Sequence, residues 1–127
     1  MAEFPPKNSY LAIRYRDAHR GIETRYVYYE DGRVEAFIDD EWLTLCIFNT
    51  EQIAQAKSLI RSSGLLEVSD IDAEGFYDTA SYVYYWSLDG QSGSVVNAAY
   101  PAKSDPTFQT LERGLDELES VAREASD

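Results

Sequence analysis

Few side chains in this 127-residue sequence have types and spacings suited to chemistry. The most suggestive run is Asp70-Ile71-Asp72-Ala73-Glu74-Gly75, with oxygen ligands at alternate positions and a glycine at the sixth, as in the first half of an EF-hand calcium loop. Asp78 falls at the ninth position, but the twelfth is Ser81, where a bidentate glutamate is required. The residues that follow pattern as a strand and not as the second helix that orients such a loop. The expectation is therefore a solvated acidic connector over 67–78, extended by repulsion among Glu67, Asp70, Asp72, Glu74 and Asp78 and binding calcium at best in the millimolar range. No metal site is assigned.

Asp17 and His19 stand two residues apart, a carboxylate within reach of the one histidine, which is the arrangement of a general base. No nucleophile or second carboxylate is tied to them by a recognisable spacing, so no catalytic residue is assigned and the chain is not read as an enzyme. Cys46 is the one cysteine and lies in the apolar run Trp42–Phe48, which reads as a small buried hydrophobe and not as a reactive thiol. No cofactor motif is present.

Recognition chemistry is better represented. Arg14, Arg16, His19 and Arg20, with Arg25 nearby, form a basic island on an otherwise acidic chain. Ten tyrosines are present, and adjacent pairs such as Tyr28-Tyr29 and Tyr84-Tyr85 must point to opposite faces of any sheet, so helices on one face cannot cover them all. Tyrosine is enriched at interface cores because a rigid apolar ring carries a polar tip. Tyr26, Tyr28, Tyr82 and Tyr84 are accordingly the candidate binding residues of a tyrosine-rich sheet face, beside Arg14, Arg16, His19 and Arg20.

The net charge of −12 repels nucleic-acid phosphate and anionic lipid, so neither is expected as a partner. Another protein, with a basic surface, or self-association suits it better. Only Lys7, Lys57 and Lys103 are lysines, which also fits a salt-rich habitat. No apolar run approaches the ~20 residues that span a bilayer, the N-terminal residues lack the apolar core of a secretory signal, and one cysteine cannot make an internal disulfide. A reducing, cytoplasmic location is expected.

The elements that must position these residues read as α+β. Residues 1–8 form a proline-containing flexible lead-in, 9–124 a single domain and 125–127 a frayed tail. Strands are expected at Ser9–Asp17, with Leu11, Ile13 and Tyr15 on one face and Tyr10, Ala12, Arg14 and Arg16 on the other. They are also expected at Ile22–Tyr29 and, past an Asp31-Gly32 turn, at Arg33–Ile38. Glu41–Phe48 is nearly continuous apolar, a buried strand or an irregular segment. A helix spans Asn49–Ser63, with Asn49 and Gln52 as a capping box and Gly64 as a left-handed stop. Within Asp78–Tyr100, the alternating aromatic run from Tyr82 to Ser87 and the return from Ser94 to Ala99, joined at Asp89-Gly90 with Gly93 as a bulge or loop, read as the central hairpin. A second helix has Asp105 as cap and Pro106 in its first turn, an inward stripe of Phe108, Leu111, Leu115, Leu118 and Ala122, and Glu112, Asp116, Glu117 and Glu119 facing solvent. Gly114, at the stripe's edge, suggests close approach of that helix to the sheet. The simplest architecture is an antiparallel sheet of four to six strands with both helices on one face, in the order β-β-β-(β)-α-β-β-α.

From Asn49 onward the layout resembles that of the emfourin-type inhibitors of thermolysin-like metalloproteases: hairpin, helix, a linker ending in Asp, a Tyr-bearing strand, a Gly turn, a return strand, Pro, and a Leu-rich helix. The residues that carry it are Ile53–Leu66, Asp78, Tyr82, Asp89-Gly90, Val95, Pro101 and Leu111–Leu118. Where that family carries Gly-Gly in its first hairpin, this chain has Asp17-Ala18-His19-Arg20-Gly21. The resemblance implies a shared fold and, as an alternative to a general protein-binding role, inhibition of a thermolysin-type protease.

Overall fold

A computed structural model describes residues 5–17, 20–67, 80–97 and 106–126. The expectations for His19, for the acidic connector beyond Glu67 and for Asp105 lie outside these residues. The order of elements is β1 (Ser9–Asp17), β2 (Ile22–Tyr29), β3 (Arg33–Ile38), β4 (Glu41–Ile47), α1 (Thr50–Ser62), β5 (Ala80–Leu88), β6 (Gln91–Asn97) and α2 (Pro106–Ser126). The strands form one antiparallel sheet in the order β4-β3-β2-β1-β5-β6. The aromatic hairpin β5–β6 is thus an edge of the sheet and not its centre. The middle is β2–β1, because β1 pairs with both β2 and β5.

Turn chemistry closes the hairpins. Asp39 and Asp40 both adopt positive φ between β3 and β4, as do Asp89 and Gly90 between β5 and β6, the left-handed pair that a two-residue turn requires. The second turn needs no extra loop, so Gly93 lies inside β6 opposite Trp86. It is glycine because the indole covers it: an added Cβ would come within 2.8 Å of Trp86 Cζ2. Asn49 and Gln52 form the expected reciprocal cap of α1 at 2.8 and 2.9 Å. Gly64 ends the helix at φ 92°, and Leu65 is fully buried over its last turn.

Both helices cover one face of the sheet. Its register places two inner rows across all six strands: Cys46–Val34–Tyr28–Leu11–Trp86–Gly93 and Leu43–Ala36–Tyr26–Ile13–Tyr84–Val95. Phe108, Leu111, Leu115 and Ala122 of α2 and Ala56 and Ile60 of α1 are buried in the same core. Each large apolar side chain removed from water there contributes about 1.5–3 kcal/mol. Lys57 pairs with Glu30 at 2.5 Å and Arg61 with Asp89, tying α1 to two turns of the sheet.

Three expectations about facing are corrected. Tyr10 does not follow Ala12 outward: a bulge between Ser9 and Leu11 turns it inward, its ring centroid 6.2 Å from that of Tyr28 and 5.5 Å from Lys57 Nζ. Gly114 marks close approach to α1 and not to the sheet, since an added Cβ would collide with Leu59. Glu119 is buried and Glu112 half-buried, both turned toward the sheet.

Candidate functional site

Alternation and register build the face that neither helix covers. A row of outward residues crosses all six strands: Val96, Val83, Arg14, Arg25, Phe37 and Trp42. Arg14 and Arg25 are directly opposite each other, an arrangement of like charges that a sheet tolerates only with a counter-charge. Glu23 supplies it from one row away, where it is paired with Arg16. Its Oε1 accepts from Arg14 Nε at 3.0 Å and Nη2 at 2.8 Å, its Oε2 accepts from Arg25 Nε at 2.7 Å, and Arg16 Nε lies 3.8 Å from Oε1. Three guanidiniums therefore share one carboxylate. Burial alone would raise the Glu23 carboxyl, but the hydrogen bonds from Arg14 and Arg25 outweigh it and hold it below the usual carboxylate range. The Glu23 hydrogen bond in turn raises the Arg14 guanidinium.

Aromatic surface adjoins the charge. The Arg25 guanidinium lies 5.6 Å from the Phe37 ring centroid, and the Phe37 and Trp42 rings are 5.3 Å apart. Trp42 remains 46% exposed and the Arg16 side chain 63%. Arginine, tryptophan and tyrosine are the residues that most often carry interface binding energy.

The candidate residues divide between the two faces. Arg14 and Arg16 belong to the outer cluster. Arg20 stands apart, its backbone N–H donating to Asp17 Oδ1 at 3.2 Å and its guanidinium 3.6 Å from Oδ2. All four tyrosines lie on the inner face. Tyr28 and Tyr84 are buried and are core residues, which corrects their assignment to an exposed binding face. Tyr28 donates to Glu119 and Tyr84 to Glu112, each at 2.8 Å. Tyr26 and Tyr82 are half-buried and line a groove of about 330 Å³ between the sheet and α2, with Asp116 and Arg123 at its rim. Burial raises the Glu112 and Glu119 carboxyls and the phenols of Tyr26, Tyr28, Tyr82 and Tyr84.

Glu23, Phe37 and Trp42 escaped sequence reasoning. Alternation does put Glu23 and Arg25 on one face of β2, but joining them to Arg14 and Trp42 needs the pairing register. Among the described residues, no three histidine, cysteine, aspartate or glutamate side chains are grouped to hold a metal ion. Among them too, no helix is long and apolar enough to cross a membrane. The chain matches no protein-family model and no curated protein sequence.

Proposed function

We propose that this chain is a non-enzymatic protein-binding module whose contact surface is the outer face of the sheet. The observation that carries the reading is the sharing of Glu23 by Arg14, Arg16 and Arg25 beside the Phe37–Trp42 pair. That cluster complements carboxylates of a partner, and the adjoining rings supply apolar contact area. The acidic remainder of the surface then opposes non-specific association with other acidic proteins. The one cysteine, free and buried, supports a reducing, cytoplasmic setting.

Affinity capture from a native lysate tests the reading. The wild-type chain is compared with Arg14→Gln/Arg16→Gln, with Trp42→Ala and with Glu117→Gln on the exposed side of α2 as a control. The expected result is an acidic protein captured by wild type and control, lost with both outer-face variants, and released by salt. Capture that is indifferent to the outer-face variants sinks the proposal.

A second reading, inhibition of a thermolysin-type metalloprotease, is supported by the element order, which agrees with the emfourin-type layout. Near-stoichiometric addition of the protein to a panel of such proteases should then abolish their activity. Unchanged rates across the panel would dispose of it.

A further inference from the structure

The two edges of the sheet differ in kind. β6 ends it with Gln91-Ser92-Gly93-Ser94-Val95-Val96-Asn97, polar over its first four residues, with Val95 buried and Val96 half-buried. β4 ends it with Glu41-Trp42-Leu43-Thr44-Leu45-Cys46-Ile47 and pairs with β3 alone. Trp42, Leu43 and Ile47 are 46%, 44% and 51% exposed. They lie on both sides of the strand, for Trp42 pairs with Phe37 of the outer row and Leu43 with Ala36 of the inner row. Exposed edges are normally protected by lysine, proline or inward-pointing charge. β4 has no lysine and no proline, its only charge is Glu41 at its start, and its one irregularity is a bulge at Leu45. Unpaired backbone donors and acceptors flanked by apolar side chains on both faces are what an added strand consumes.

The charge around this edge selects the strand. At one end stand Asp39, Asp40 and Glu41, which no ion pair reaches among the described residues. At the other end, beside Ile47, Arg33 is shared by Asp31 at 2.9 Å and Glu35 at 3.4 Å, two carboxylates to one guanidinium. Both ends of β4 are thus net negative. An antiparallel second copy would lay the acidic start of one strand against the acidic finish of the other, and like charges so placed are repulsive. A guest with basic ends meets attraction at both.

We infer that β4 is a docking edge for an extended segment of a partner protein, with alternating apolar side chains at its centre and lysine or arginine at both ends, added as a seventh strand. The guest strand would run about 4.8 Å from β4. Its outward side chains meet Trp42 and its inward ones Leu43, while its basic ends lie against Asp39–Glu41 and Asp31. This site shares Trp42 with the outer face but not the arginines, which sit on β1 and β2 and take the opposite charge.

The probe is a synthetic peptide of alternating valine and threonine with two lysines at each end, titrated into isotope-labelled full chain while backbone amide shifts and hydrogen exchange are followed. Two matched peptides accompany it: one with glutamates at the ends, and one with lysines but alternate backbone nitrogens methylated. The expected result is that the lysine peptide shifts the amides of residues 41–47 and slows their exchange. The glutamate peptide should bind at least about tenfold more weakly, and the methylated peptide not at all. Trp42→Lys should abolish the shifts without disturbing the amide pattern of β1 and β5. Arg14→Gln/Arg16→Gln should leave them unchanged, so failure of the outer-face reading and failure of this one are told apart. Absent or displaced shifts, or equal binding of lysine and glutamate peptides, overturn the inference. So does sedimentation showing a dimer that Trp42→Lys breaks, because the occupant would then be a second copy.

Discussion

The Tyr28 hydroxyl donates to the Glu119 carboxylate at 2.8 Å, joining the middle of the sheet to α2 across 91 residues of chain. A carboxylate on the buried side of an amphipathic helix breaks the rule of apolar stripes, and Tyr84 with Glu112 repeats the departure at 2.8 Å. In both pairs a phenol satisfies a carboxylate that burial would otherwise leave costly.

Glu119→Leu should therefore destabilise the fold by about 1–3 kcal/mol, by orphaning the buried Tyr28 hydroxyl. Adding Tyr28→Phe should recover a large part of that loss, because both polar partners are then gone. Tyr10→Phe makes the contrasting case. Among the described residues the buried Tyr10 hydroxyl has no hydrogen-bond partner, so its removal should be neutral or stabilising by up to about 1 kcal/mol. Urea unfolding measures all three; additive losses in the double variant would contradict the pairing.

The same carboxyls set a pH dependence. Burial raises Glu112 and Glu119, so folding favours their protonated forms. Their contribution is fully present below the unfolded carboxylate value of about 4.3 and is lost as pH rises through the raised folded value. Glu23 runs the other way: held low by Arg14 and Arg25 against its burial, it contributes above about pH 4.3 and is lost as pH falls through its depressed value. Glu112→Gln/Glu119→Gln should gain on wild type as pH rises from 4 to 8, whereas Glu23→Gln should lose about 1 kcal/mol at neutral pH and less in acid. Parallel stability curves for the three proteins would refute these assignments.

Gly32→Ala should cost about 3 kcal/mol. Gly32 sits at φ 102°, and a Cβ there would drive into the Phe48 carbonyl. The Gly32 carbonyl also accepts from Phe48 N–H at 2.7 Å, so the backbone has no room to yield. A thermal midpoint close to that of wild type would show that the hairpin can open there.

Cys46 should resist thiol reagents in the native protein. Burial, with Glu119 nearby, pushes its thiol up to about 11, leaving little thiolate at neutral pH. Modification should proceed only as fast as β4 opens and should accelerate in step with added denaturant. Rapid labelling without denaturant would mean that the edge strand spends much of its time detached.

Much of this molecule is local, and local features were legible. The α1 cap needs only Asn49 and Gln52, three residues apart, to satisfy each other's backbone donors. The turns at Asp31-Gly32 and Asp89-Gly90 need residues that tolerate positive φ. The periods of two and 3.6 identified five of the six strands and both helices, and with them an antiparallel α+β fold; the nearly continuous apolar run of β4, open between a buried strand and an irregular segment, is an exposed edge strand. What depends on pairing register was not legible. A single extra residue between Ser9 and Leu11 turned Tyr10 into the core, and another, Leu45, turned Cys46 inward opposite Val34. Alternation showed that Tyr28 and Tyr29 must face apart, but not which of them α2 would cover. The arginine–aromatic row crosses six strands at one residue each, so its members are scattered from Arg14 to Val96 in the chain. Composition and periodicity are properties of neighbours in sequence. The charge on the outer face and the unprotected β4 edge arise only when the sheet closes and distant residues become neighbours in space.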